Sequence, residues 1–423
     1  MNTGTPASVR EEVVRQHAEE AAFLAQLRDQ TTRSPVATTD TLARLDARLD
    51  AHCEGLRNAG ALGWEIAQPA WATRLPGECF AALRLAFELR EWDRVEQALA
   101  PLELLDDADP DTFEQLDACV MALAWLPPTN AIEIGNWWLN QADPLRWSLG
   151  LATLLEHRID PGAQLLRGLA HPAAWTRAVA RRGAALLGLP AEASASEDPC
   201  ARVRLFANLG RLRQQGTSPE TCEALIDLGP ACPRYGDLAC AIGFSGLSAA
   251  RVDAAIQRIF AGDPQHHRLA HVGAVGVGDP IYIPWMIEGL ANPNYGLAAS
   301  YGLSALTGLD PDARGLICGP PTSDGQPEYL EEPDLDCAWL EPAATQAWWA
   351  ETASEFSPGR RVMFGRPLPD ALRLTLIAGP QRLRALAAWR LGLLRPGAIF
   401  AYDAPVARQR RWLTHLRATG AST

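Results

Sequence analysis

Apolar residues recur at helical spacing along most of the chain, and between residues 143 and 308 the pattern falls into stretches of similar length. Most stretches open on a proline that follows Asp, His or Asn, as in "HPAAWTRAVARRGAALLGLP" at residues 171–190. The intervals between successive prolines are 28, 27, 31, 34 and 29 residues, for the series Pro144, Pro172, Pro199, Pro230, Pro264 and Pro293. A period near 30 residues is typical of stacked helical repeats.

Each stretch has the composition of a helical hairpin. An Asp or Asn before proline can cap a helix, and proline suits the first helical position. A glycine is expected to end the first helix, at Gly188, Gly210, Gly246 and Gly308. Second helices are predicted in the intervening segments 161–170, 218–229, 248–262 and 280–292. Because neither helix can bury its apolar face alone, the pattern predicts an all-α fold, an α-solenoid of HEAT-like hairpins. An irregular all-α domain with chance spacing is the alternative.

Both ends of the chain are also predicted to be helical. We expect helices at 9–33, 38–60 and 110–127, a helix pair in 75–105 that breaks near Glu91, and C-terminal helices at 344–356, 367–379 and 380–397. Residues 315–343 are rich in Pro, Gly and acid, which indicates an ordered loop or a linker. The predicted regions are therefore an N-terminal helical cap (1–130), the repeats (131–314), the acidic loop (315–343) and a C-terminal helical extension (344–423).

Composition narrows the possible chemistry. The hydrophobic fraction of 48% is that of a globular protein, and the net charge of −12 argues against general binding to nucleic-acid phosphates. All 38 basic side chains are arginine, which excludes a phosphate-binding lysine loop and a Schiff base. The nine cysteines form no Cys-x-x-Cys pair. Without a signal peptide or a long apolar run, the chain is expected to be cytoplasmic and not a membrane protein.

No catalytic, metal or cofactor site is predicted, so an enzyme is not expected. His267 and His271 stand at helical i, i+4 spacing beside His266, but no glutamate lies between them as a zinc protease would need. We interpret them as solvated or inter-repeat histidines. The acids of residues 328–341 lack the glycine of a calcium loop, and they are expected to be solvated or to pair with arginines.

The residues proposed to contact a partner are tryptophans and arginines. Adjacent helical residues point about 100° apart, so one member of each pair, Trp137–Trp138 and Trp348–Trp349, is expected at the surface. Core packing of these rings is the alternative. Internal pairing with the acids of 328–341, or solvation, is the alternative for the C-terminal arginines. The candidates are Trp138, Arg177, Arg181, Trp348, Trp349, Arg361, Arg382 and Arg384.

Four segments carry a family resemblance: "HAEEAAFLAQLRDQ" with "LARLDARLDAHCEGLRNAG", "PGECFAALRLAF", "NPNYGLAASYGLSALTGLD", and the C-terminal "FGRP" with "AGPQRLRALAAWRLGL". Together they resemble a proteobacterial family of HEAT-like repeat proteins often encoded near type VI secretion genes. The resemblance implies a non-catalytic protein-binding scaffold, an adaptor or chaperone for a secreted effector or spike component. An immunity protein that neutralises a toxin is the first alternative, and a HEAT-like nucleic-acid-binding protein is the second.

Overall fold

A computed structural model gives the fold and describes residues 11–73, 75–104, 110–190, 197–321 and 332–419. The chain forms two compact units. Unit 1 comprises Met1–Gln30, Asp40–Leu187 and Ala404–Thr423, and unit 2 comprises Thr31–Thr39 and Gly188–Asp403. Each unit therefore includes a segment that is distant from the rest of it along the chain.

The predicted all-α class is confirmed: the protein is 73% helical, with 21 α-helices in the described part. In chain order they are α1 Glu11–Thr31, α2 Thr39–Asn58, α3 Ala61–Ala70, α4 Pro76–Leu89, α5 Trp92–Leu99, α6 Pro110–Trp125, α7 Pro128–Leu139, α8 Pro144–Glu156, α9 Gln164–Leu169, α10 Ala174–Leu187, α11 Ala201–Gln215, α12 Pro219–Leu228, α13 Pro233–Ser245, α14 Ala249–Phe260, α15 Arg268–Val277, α16 Ile283–Gly289, α17 Gly296–Thr307, α18 Pro342–Thr352, α19 Asp370–Ala378, α20 Gln381–Leu394 and α21 Val406–Thr419. The strands β1 (Val362–Met363) and β2 (Arg366–Pro367) form a small antiparallel hairpin.

Within each unit the helices stack as hairpins, as the predicted solenoid requires. In unit 1, α4, α6, α8 and α10 pack in sequence, while α5, α7 and α9 lie against members of that row. In unit 2, α13, α15 and α17 form an equivalent row, and α12, α14 and α16 each pack on the next helix of the row. In the pair α14–α15, every residue of α15 is buried, whereas α14 buries only Val252 and Ala255.

Several helix ends follow the predicted chemistry. The Asp143 side chain accepts the Arg146 amide at the start of α8, and Ser218 accepts the Thr221 amide at the start of α12. Gly188 and Gly308 have φ values of 73° and 74°, the left-handed region that favours glycine after a helix. Gly246 directly follows α13, as predicted.

Two predicted helix limits are wrong. Helix α10 begins at Ala174, not at Pro172, because the His171 ring nitrogen accepts the Ala173 amide at 3.1 Å and holds the preceding turn. Helix α11 continues through the buried Gly210 and ends at Gln215. The next residue, Gly216, has a φ of 81°.

The acidic Pro-rich region is partly described. Ile317 and Leu340 form an antiparallel bridge, and residues Glu332–Asp336 form a short 3-10 turn. Glu328 and Glu331 lie outside the described residues. None of the described helices combines the length and the hydropathy that crossing a bilayer requires.

Candidate functional site

Trp138 was predicted to contact a partner, and its burial contradicts this. Helix α7 buries the face that carries Ala131, Ile134, Gly135 and Trp138, and the Trp138 side chain is 0% exposed. Its ring meets Phe87 edge to face at 5.8 Å. The neighbouring Trp137 points away from this face and is 43% exposed, so one member of the pair does reach the surface, but not the member predicted.

The second tryptophan pair is also largely internal. Trp349 is 8% exposed and packs against Phe356 with ring centroids 5.6 Å apart. Trp348 is half-buried beside it, at 6.0 Å. Trp349 therefore packs within unit 2 and does not serve as a surface anchor.

Arg382 lies in a buried cluster of four charges in unit 2. Its guanidinium is 2.8 Å from Asp334 and 3.3 Å from Asp237, while Arg268 binds the same two carboxylates at 2.5 and 2.7 Å. Burial by itself raises the pKa of Asp334, but the two arginines outweigh it and hold this pKa well below its ordinary range. The side chain of Arg382 is therefore internal, and it pairs with an acid of the 328–341 group, as the alternative interpretation predicted.

Arg384 is likewise buried, with 0% exposure, and this contradicts its predicted role at the surface. It donates to the Leu376 carbonyl and to Gln381 Oε1, at 2.8 and 2.9 Å. Burial lowers the pKa of Arg384 to about 10. Its contacts join the end of α19 to the start of α20.

The remaining arginine candidates have different environments. Arg181 is 6% exposed, so burial excludes it as a surface contact. Arg177 is half-buried and donates to the His171 and Pro172 carbonyls before its own helix. Arg361 is exposed and donates to the Ser245 carbonyl at 3.1 Å. Because five of the eight candidates are buried, the predicted set does not form a partner-binding surface.

The histidine cluster has an aromatic environment. His271 is 0% exposed and stacks on Trp285 at 4.2 Å and on Tyr295 at 5.0 Å. Burial lowers the pKa of His271 to about 3, which keeps the ring neutral at neutral pH. Among the described residues, no group of three or more His, Cys, Asp or Glu side chains is arranged to hold a metal ion.

A pair of exposed indoles on unit 1 is the site that sequence reasoning missed. All fourteen tryptophans lie in the described part of the chain, and only Trp92 and Trp137 are exposed, at 42% and 43%. Their ring centroids are 4.7 Å apart with an interplanar angle of 59°. Trp92 opens α5 within the charged stretch "REWDR", and that charged context was the available signal for exposure.

The surroundings of the indole pair are rich in charge. A cleft of ≈ 610 Å³ beside Trp92 is lined by Trp64, Glu91, Trp92, Asp93, Arg94 and Gln97. Glu133 stands one helical turn before Trp137, is 73% exposed, and lies 4.0 Å from Arg90. The pair is thus an apolar surface with a polar rim, which is the composition of a protein-binding surface. We call Trp92, Trp137 and the lining of this cleft the indole surface.

Comparison with known proteins gives no match: none of the family models, curated proteins or solved structures matches the chain. The resemblance described from the sequence therefore stays a prediction.

Proposed function

We propose that the chain is a non-catalytic, cytoplasmic scaffold that binds a protein partner through the indole surface. The exposed Trp92–Trp137 pair is the observation that carries this proposal. Tryptophan combines a large apolar area with an N–H donor, and it is over-represented among the residues that dominate binding energy at interfaces. The other twelve tryptophans are buried or half-buried, so Trp92 and Trp137 differ from them in their exposure to solvent.

The stacked hairpins support a binding role. Arrays of stacked helical repeats present extended surfaces to partners. With the family resemblance, the proposal becomes an adaptor or chaperone for a type VI secreted effector or spike component. An immunity protein is the first alternative, and the net charge of −12 suits a basic toxin.

The experiment is affinity capture from the native host with three forms of the chain: the wild type, the Trp92→Ala/Trp137→Ala double variant, and Phe23→Ala. Phe23 is 59% exposed in α1 of the same unit, so it is a matched control for loss of an exposed aromatic ring. A partner that the wild type and Phe23→Ala capture and the double variant loses supports the proposal. Quantified with the purified partner, the double variant should bind at least about tenfold more weakly. Equal capture by all three forms would contradict it.

Deletion of the gene separates the two protein-binding roles. Loss of secretion of the captured partner without self-intoxication is the result for an adaptor, and self-intoxication that the gene rescues is the result for an immunity protein. Retention of duplex DNA by the wild type at physiological salt, with no dependence on the indole pair, would favour the nucleic-acid alternative instead.

A further inference from the structure

Unit 1 already binds one guanidinium group in the cleft of the indole surface. The Arg94 guanidinium carbon lies 5.4 Å from the centre of the Trp64 ring, and Arg94 Nε is 2.6 Å from Glu91. An aromatic face attracts a cation within about 6 Å of its centre, and a carboxylate fixes the guanidinium by a charged hydrogen bond. Trp64, Glu91 and Arg94 therefore show what chemistry this cleft accepts.

A second indole and a second carboxylate line the same cleft. Trp92 and Asp93 line the cleft, both are exposed, and among the described contacts no cation lies over Trp92 or Trp137. Asp93 takes part in no ion pair within the described part of the chain. Trp92 and Asp93 thus supply an exposed indole and an exposed carboxylate in the lining of the same cleft.

The rim of the indole surface carries an excess of negative charge. Three carboxylates, those of Glu91, Asp93 and Glu133, stand beside two guanidinium groups, those of Arg90 and Arg94. Arg94 is engaged with Glu91 at 2.6 Å, whereas the Arg90–Glu133 contact is long, at 4.0 Å, between side chains 55% and 73% exposed. Loose, exposed pairs contribute little stability, so Glu133 is free to exchange its partner at small cost.

We propose that Trp92 and Trp137, with Asp93 and Glu133, form a receptor site for arginine side chains of a basic segment in the partner. The arginine stem packs along the indoles, and the guanidinium lies over a ring face and donates to a carboxylate. This inference rests on the proposed function and specifies the partner by its charge.

The binding assay uses the full-length chain and isothermal titration calorimetry with a capped peptide of four arginines spaced by glycine. A second peptide has citrulline at the four positions, which keeps the shape and removes the charge. We expect the arginine peptide to bind at least fivefold more tightly than the citrulline peptide, because its guanidinium groups make cation–π contacts and charged hydrogen bonds that neutral citrulline does not. Equal affinity for the two peptides would overturn the proposal.

The variants separate this site from general attraction to an acidic protein. Trp92→Leu/Trp137→Leu keeps apolar bulk and removes the ring faces, and Asp93→Asn removes one carboxylate. Each should weaken binding of the arginine peptide about two- to fivefold. Glu351→Gln, an equal change of charge at an exposed position of α18, should change the affinity by less than twofold. If Glu351→Gln weakens binding as much as Asp93→Asn, the attraction is not local and the inference fails.

The outcome also distinguishes this inference from the proposed function. If a host partner depends on the indole pair but Asp93→Asn and the citrulline exchange have no effect, the surface binds a partner and the cation site is wrong. If the arginine peptide binds at the indole pair and no host protein does, the cation site stands and the proposed scaffold function fails.

Discussion

At the residue scale, charged side chains occupy the interior of unit 2 because each buried arginine is paired with two carboxylates. Arg268 and Arg382 share Asp237 and Asp334, and Arg382 also donates to the carbonyl of Arg33, at 3.2 Å. Two carboxylates balance two guanidinium groups, so the cluster carries no net charge. It joins segments near residues 33, 237, 268, 334 and 382 that are far apart in the chain. The short turn that contains Asp334 is thereby fixed to helices α13, α15 and α20.

Removing one arginine from this cluster should be costly. Arg382→Met leaves a buried carboxylate without its partner, and we expect the free energy of unfolding to fall by about 3–5 kcal/mol. Arg258→Met is the control, because Arg258 pairs with Asp227 at 3.0 Å where both side chains are about half exposed, and such pairs contribute less than about 1 kcal/mol. Urea unfolding followed by circular dichroism measures both. Similar losses for the two variants would show that the buried cluster is not the stronger interaction.

At the element scale, glycines set how closely helices approach. A Cβ built on Gly276 of α15 would lie 1.9 Å from the Ala241 carbonyl oxygen of α13, a distance that no side chain can occupy. In unit 1, a Cβ on Gly150 of α8 would lie 2.8 Å from the Gly135 carbonyl oxygen of α7. These glycines therefore lie where the backbones of two stacked helices touch.

Gly276→Ala tests this packing. The added methyl must push α15 away from α13, and we expect the melting temperature to fall with a loss of about 1–3 kcal/mol or more in stability. Gly262→Ala is the matched exchange, since the atom nearest to its added Cβ is the Ile259 carbonyl oxygen at 3.4 Å, an ordinary contact, and it should change stability by less than about 1 kcal/mol. If Gly276→Ala has the same melting temperature as the wild type, the close approach of α13 and α15 is not a constraint on the fold.

At the scale of the whole molecule, the half-buried His157 and the buried His271 make stability dependent on pH. Burial, together with the charge of Arg408, lowers the pKa of His157 in unit 1 to about 4, and burial lowers that of His271 in unit 2 to about 3. An unfolded histidine has a pKa near 6.5. Between these values the unfolded chain binds protons that the folded chain does not, so folding is favoured at higher pH.

The free energy of unfolding should therefore be level between about pH 7 and 8 and fall between pH 6.5 and 4, with a slope of up to about 1.4 kcal/mol per pH unit for each histidine. Urea titrations at half-unit steps of pH measure the slope. His271→Phe keeps an aromatic ring against Trp285 and removes the titrating group, so its slope should be smaller by about half. An unchanged slope in this variant would exclude His271 as a source of acid sensitivity.

The sequence by itself determined the helical repeat architecture. Its determinants are local: Asp143 and Ser218 cap the helices that follow them, Gly188 and Gly308 end theirs, and apolar periodicity marks the buried faces. It also indicated that one tryptophan of the 137–138 pair is exposed, because neighbours on a helix point in different directions.

Only the tertiary structure decided which side chains are free to bind. Whether Trp137 or Trp138 is buried depends on where α8 packs against α7, and Trp92 reaches Trp137 only once both helices are in place. Arg382 and Arg384 resemble surface arginines in the sequence, yet distant carboxylates and carbonyls pair with them in the interior. Burial depends on the neighbours that pack around a residue and not on the residue alone, so the exposed pair Trp92–Trp137 results from packing that the local sequence pattern does not encode.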